Sequence, residues 1–168
     1  MKIVRVDMTG QTVKIEDVPP ACAGLGGRGL TSTMVNREVP PRCHPLGHEN
    51  KLIFAPGLMS GTSLINTSRV SIGAKSPLTG TVKESNVGGT AGTALGKLGV
   101  TAVVVEGAAP EGAWFTFRID RNGNASILPA DEFAGMGTYA FTERMLETHG
   151  DETAVLAIGA TFSALEVV

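Results

Sequence analysis

Four short apolar runs, each closed by a glycine or a nearby proline, do most to constrain the fold: KLIFAPG (51–57), RVSIGAK (69–75), TAVVVEG (101–107) and TAVLAIG (153–159). Such runs are too short to bury a helix face, and their valine and isoleucine content suits strands inside a sheet. The 22 glycines are roughly twice the share of an ordinary soluble domain. They lie among these runs, without a collagen period or a linker block. They therefore mark turns and places where the backbone must approach something closely.

The remaining elements follow from periodicity and punctuation. KIVRVDMTGQTVKIEDV alternates through Val4, Val6, Met8, Val13 and Ile15 around Thr9-Gly10, which predicts a hairpin. Pro19-Pro20 breaks it, a glycine-interrupted helix is expected over about 29–37, and Pro40-Pro41 ends that helix. HPLGHEN is a loop, GTVKES (80–85) a further strand, and GGTAGTALGKL (88–98) a slim helix of poor propensity that packing must hold. WFTFRID (114–120) turns through RNG into NASILPA, and Phe141 and Met145 stand four apart in a helix over 138–148 that stops near Gly150. Hairpin, helix and buried strand thus occur over 2–57 and again over 114–159, with room for one more strand after Gly159. The expected class is α+β, two related sheet-and-helix units from an internal duplication, the second shortened, within a single domain spanning 1–168.

Charge and cysteine usage exclude several function classes. A formal net charge of −2 gives no long-range field for nucleic acid or an anionic membrane. No apolar run approaches the roughly 20 residues that span a bilayer, and the start lacks the core of a signal peptide, so a cytoplasmic location is the default expectation. Cys22 and Cys43 have neither the number for a disulfide framework nor the spacing for zinc or an iron–sulfur cluster. GLGGRG (24–29) matches a dinucleotide fingerprint formally, but VPPACA precedes it where a strand is required, and CHPLGH follows where an acidic residue is required. It reads as a glycine cluster at a helix start, with Arg28 aimed at an anion. His44 and His48 flank Pro45 and Gly47, which points to a loop over a metal pair, and His149 has a sufficient role at a helix C-terminus.

RVSIGAKSPLTGTVKESNVGGTAG (69–92) gathers several weak signals. Arg69 offers a guanidinium fork suited to phosphate, and Lys75, six residues on, shares its strand face. Ser85-Asn86-Val87-Gly88-Gly89 leads into the glycine-rich helix, whose free N–H groups favour an anion. Asn86 is placed to cap that helix or to ligate a hard cation through its amide oxygen. The plainer account is a strand with solvated charges before an asparagine-capped helix.

At these residues the chain resembles the N-terminal domain of the tungsten-containing aldehyde:ferredoxin oxidoreductase family. The pieces that carry the resemblance are GLGGRGL, PLGHENKLIFAPGLMSGT, SRVSIGAKSPLTG, ESNVGG, GVTAVVVEGAA and AVLAIG, in family order across residues 2–159. The resemblance implies a base domain of two related sheet-and-helix units that seats a bis-pterin cofactor, tungstopterin or molybdopterin. It implies that Arg69 meets a pterin phosphate and that Asn86 lies beside a magnesium ion bridging the cofactor phosphates. Val87, Gly88 and Gly89 would supply backbone against the pterin, and Lys75 corresponds to the lysine of the KSPLTG motif.

Family enzymes continue into helical domains that carry a [4Fe–4S] cluster and the acid/base residues, none of which this sequence contains. Any cluster would belong to a larger cysteine-bearing portion or subunit, with ferredoxin an indirect partner. The sequence is thus expected to be a truncated domain, a separate subunit or a stand-alone form, with no catalytic residue of its own. Two functions remain open at this point. One is the pterin-binding part of an aldehyde-oxidising enzyme; the other is a non-catalytic pterin-binding or assembly module, possible as a homo-oligomer through apolar surface.

Overall fold

The computed structural model describes residues 1–157 and 166–167. They form two compact units, Met1–Ala108 and Ala109–Val168. Both combine sheet with helix, a mixed α/β architecture.

The first unit is built on a six-stranded sheet. The expected hairpin forms from β1 (Lys2–Asp7) and β2 (Thr12–Asp17). Then come β3 (Lys51–Pro56), β4 (Val70–Lys75), β5 (Val82–Val87) and β6 (Val100–Glu106), in the sheet order β2-β1-β6-β3-β4-β5. β1 and β6 run parallel, and the other neighbours are antiparallel. The central strands β1 and β6 bury apolar residues on both of their faces. Ile3, Val4 and Val6 of β1 and Ala102, Val103 and Val104 of β6 are all buried.

Helix α1 (Gly27–Glu38) lies over the face that carries Ile3, Ile53, Ala55, Ala102 and Val104, and packs Leu30, Met34 and Val35 against them. It starts two residues earlier than the periodicity predicts and ends before Pro40-Pro41 as expected. Cys22 and Cys43 are free and buried in the same core. At the far end of α1 the core is closed by an ion-pair cluster. Arg5 meets Glu16 and, at 2.8 Å, Glu38; Lys51 reaches Glu38 at 3.0 Å and Glu106 at 2.6 Å.

Helix α2 (Ala91–Lys97) is shorter than the predicted 88–98. Its glycines serve close packing. A Cβ on Gly92 would fall 2.2 Å from the carbonyl oxygen of Ser68, and one on Gly96 would fall 2.1 Å from that of Ser60. The loop 57–68 therefore lies directly on the helix backbone, which explains why a segment of such low propensity is helical.

In the second unit β7 (Phe115–Ile119) and β8 (Ala125–Pro129) form the second expected hairpin, with the two-residue β9 (Glu166–Val167) parallel to β7. Asp120 organises the turn by accepting the backbone N–H groups of Asn122 and Asn124 at 2.8 and 2.9 Å. Helix α3 (Thr138–His149) buries Phe141 and Met145, the pair read from the sequence, and Phe141 meets Phe133 edge-on at 5.3 Å. Of the strand expected over 153–159, the described part shows one bridge residue, Leu156, and residues 158 and 159 lie outside the described residues.

Candidate functional site

The register of β4 and β5 builds the site. Val70 pairs with Val87, Ser71 with Asn86 and Gly73 with Glu84, so Asn86 and Glu84 stand on the face to which Ser71 belongs. This is the face over which α1 lies, since the Thr31 hydroxyl is 3.0 Å from that of Ser71. β5 is the last strand of the sheet, so these residues form a polar edge beside the start of α1.

Arg69 and Asn86 are joined directly. The Nε–H of Arg69 donates to Asn86 Oδ1, and Nη2 donates to the Asn86 carbonyl oxygen at 3.1 Å. Nη1 has no protein acceptor among the described residues, and it lies 3.5 Å from where a Cβ on Gly88 would sit. Gly89 follows with a φ of 112°, a backbone region that favours glycine. A fixed guanidinium thus presents its remaining donors over a stretch of bare backbone. Such an edge suits an oxyanion.

Several expected residues take other places. Asn86 does not cap α2, because it belongs to β5 and the N-cap position is held by Thr90. Gly88 and Gly89 precede the helix, and Val87 is the last residue of β5, with an exposed side chain. Lys75 shares the strand face of Arg69 but stands at the opposite end, about 20 Å away at the rise of an extended strand. Face parity was right, and distance along the strand separates the two cations. The Lys75 ammonium is buried and donates to the carbonyl oxygens of Pro41 at 2.6 Å and Cys43 at 2.7 Å. Asn50 holds the same loop. Its Nδ2 donates to Pro45 O and Lys75 O, and its Oδ1 accepts from the N–H groups of Lys51 and Lys75. These two residues of the KSPLTG and HENK segments tie the 40–50 loop to the sheet.

Arg28 does reach the polar edge, where its Nε donates to Glu84 Oε2 at 3.2 Å. Glu84 also accepts from the Ser71 hydroxyl at 2.8 Å. That hydrogen bond is the largest influence holding the Glu84 carboxyl below the ordinary carboxylate value, with the Arg28 charge and the Asn86 side chain adding to it. No sequence spacing pointed to Glu84. The alternation of β5 would have placed it beside Asn86, but only the β4 register shows what it meets.

Among the described residues the other titratable groups supply no second centre. In the cavity lined by Arg5, Asp7, Thr12, Lys14, Glu16, Glu38, Lys51 and Glu106, the cations pair with the three glutamates, and Asp7 accepts the backbone N–H groups of Thr9 and Gly10. His44 sits in a loop, where Nδ1 accepts from the Leu46 N–H. His149 ends α3 as expected, yet burial and the Arg118 charge push its pKa down, opposite to the effect of the helix dipole. Among the described residues no group of three or more His, Cys, Asp or Glu side chains is placed to hold a metal ion. No helix among them is long and apolar enough to cross a membrane.

The fold and this edge define a mixed α/β domain with a polar, glycine-bordered strand margin beside a helix start. The family described as aldehyde ferredoxin oxidoreductase, N-terminal domain, matches residues 3–162, and the chain belongs to that family. The tungsten-containing aldehyde ferredoxin oxidoreductase of Pyrococcus horikoshii is 36% identical over 159 residues, covering 93% of this chain and 26% of that protein. The enzyme of the same name from Thermococcus kodakarensis is 40% identical over 108 residues, 63% of this chain and 18% of that protein. Among solved structures, a chain from the active site complex BamBC of benzoyl coenzyme A reductase with 1,5-dienoyl-CoA superposes with a TM-score of 0.84. Its sequence identity is 28%, over 94% of this chain and 24% of that chain. The chain therefore spans only 18–26% of the relatives compared.

Proposed function

We propose that this chain is the tungstopterin- or molybdopterin-binding base domain or subunit of an oxidoreductase that oxidises aldehydes and passes the electrons to ferredoxin. The convergence of Arg69, Asn86 and Gly88 carries the reading, because the family resemblance assigns Arg69 to a pterin phosphate, Asn86 to the accompanying magnesium ion and Gly88 to backbone against the pterin. The residues fit such a group. Arg69 keeps free guanidinium donors after binding Asn86, and glycine at 88 leaves room beside them for a phosphate-bearing ligand. When bound, the pterin-held metal supplies the redox and oxygen-transfer chemistry. The protein residues would bind and orient it: Arg69 would neutralise phosphate charge, Gly88 and Gly89 would permit close approach, and the Asn86 amide would be available to a magnesium ion bound with the cofactor. Lys75 acts from a distance by fixing the 40–50 loop. The [4Fe–4S] cluster and the acid/base groups reside in a larger cysteine-bearing portion or subunit, and the assembly is cytoplasmic.

The internal duplication belongs to the same reading. A 3-10 turn (Pro20–Cys22) precedes Ala23-Gly24-Leu25-Gly26 and α1, and a 3-10 turn (Asp131–Phe133) precedes Ala134-Gly135-Met136-Gly137 and α3. Gly24 and Gly135 have φ values of 74° and 78°, and Gly26 and Gly137 are the two N-caps. This shared helix start supports descent of the two units from one.

A second reading, a non-catalytic pterin-binding or assembly module, has its own observation. Leu58, Met59, Leu64 and Ile65 on the loop 57–68 are exposed, Ile65 to 86%. Co-expression with a larger cysteine-bearing partner separates the two. The enzyme reading predicts a complex containing tungsten or molybdenum. Metal-free homo-oligomers that ignore the partner would favour the assembly module.

A further inference from the structure

Glu84 has no part in the seat as described above, yet it stands in the middle of the polar edge. It is one pleat along β5 from Asn86, on the same face, and its side chain is only 12% exposed. Both of its oxygens are held: Oε1 accepts from Ser71 Oγ at 2.8 Å, and Oε2 accepts from Arg28 Nε at 3.2 Å. Thr31 backs the Ser71 hydroxyl at 3.0 Å. The opposite residue on β4 is Gly73, where a Cβ would fall 2.7 Å from the Thr31 Cβ, so α1 lies close enough here to bring Arg28 and Thr31 to the strand pair. The carboxylate is thus fixed in place beside the Arg69–Asn86 pair. The other charged group nearby, Lys83, turns its Nζ to the Glu84 carbonyl oxygen at 2.8 Å.

A fixed negative charge at the margin of an anion seat has a cost that rises with the charge of the ligand. We propose that Glu84 is a specificity-determining residue of the Arg69–Asn86 seat, which it biases toward oxyanions of low net charge and against free polyphosphates. Two guanidiniums alone would attract the most highly charged phosphate compound present. With Glu84 beside the two guanidiniums, Arg28, Arg69 and Glu84 together carry a single net positive charge, enough for a phosphate monoester and poorly matched to a triphosphate. The inference deepens the reading of this site as a phosphate seat and rests on it.

The test is a charge series. Binding of inorganic phosphate, pyrophosphate and tripolyphosphate to the full chain is measured by titration calorimetry at one ionic strength. Glu84→Gln keeps acceptor and donor atoms for Ser71 and removes the charge; Glu84→Asp keeps the charge. The expected gain for E84Q is a few-fold for phosphate and about tenfold or more for tripolyphosphate, while E84D retains the wild-type order. An equal gain for all three ligands, or none, overturns the assignment. Arg69→Ala is run beside them. Loss of binding in R69A with an unchanged charge series in E84Q overturns the role of Glu84 alone. Unchanged binding in R69A overturns the seat itself and this assignment with it. Circular dichroism of each variant confirms that the fold is intact.

Discussion

Arg69 and Asn86, seventeen residues apart in sequence, hold each other through two hydrogen bonds, one to the side-chain oxygen of Asn86 and one to its carbonyl oxygen. The pairing uses Nε and one Nη2 donor and leaves the rest of the guanidinium for a ligand. A lysine at 69 could not reproduce this division, since a single ammonium cannot bridge both acceptors with fixed geometry and also present a fork. Arg69→Lys is therefore expected to weaken anion binding nearly as much as Arg69→Ala, by about tenfold in calorimetry, with an unfolding free energy within about 1 kcal/mol of wild type.

Lys75 should behave in the opposite way. Its buried ammonium satisfies two carbonyl oxygens of the 40–50 loop. Lys75→Ala leaves both without that donor and is expected to destabilise the first unit by about 2–4 kcal/mol, while leaving the anion affinity of the folded protein within about twofold. Urea melts and anion titrations of the same variant decide the matter. An intact melt with lost affinity would return Lys75 to the site.

Gly92 and Gly96 set helix propensity against packing. Propensity alone makes Gly92→Ala a gain of about 1 kcal/mol. Contact with Ser68 O at 2.2 Å makes it a loss, expected at about 2 kcal/mol or more after the loop shifts. The sign of the change in thermal midpoint separates the two effects.

Glu38 gives the first unit a pH dependence. Burial acts most strongly on its carboxyl and pushes the pKa up, but hydrogen bonds from Arg5 and Lys51 with their charges outweigh it, and the net shift is downward from 4.5. A pKa depressed by folding means stability that is present above the unfolded value and lost as pH falls through the lower folded value. Wild type should lose this contribution below about pH 4.5. Glu38→Gln should be less stable by about 1–2 kcal/mol at pH 7, and the gap should close in acid. A gap independent of pH would contradict the assignment.

The sheet was legible because its strands announce themselves locally. Between Val100 and Glu106 only Thr101 interrupts an apolar run, and both hairpins carry turn residues at the correct offset. Helix lengths were less so. α2 is held by Ser60 and Ser68, whose approach no local pattern encodes, and it ends where that contact ends. Within the site, Arg69, Asn86 and Gly88 could be named from the motif, whereas their mutual geometry depends on the β4–β5 register. The same register exposes the limit of reasoning from face parity, which placed Lys75 with Arg69 and overlooked Glu84. The ion-pair cluster of Arg5, Glu38 and Lys51 unites three distant segments and had no signature in sequence.

The cofactor seat is tested most directly by metal and pterin content. Wild-type chain, Arg69→Ala and Asn86→Ala are each co-expressed with a larger cysteine-bearing partner under tungstate and molybdate supply, and the purified complexes are assayed for both metals and for pterin. The wild-type complex should carry tungsten or molybdenum with its pterin, and each variant should assemble normally with at least about tenfold less of both. Equal cofactor content in all three complexes, or none in a properly assembled wild-type complex, would contradict the account.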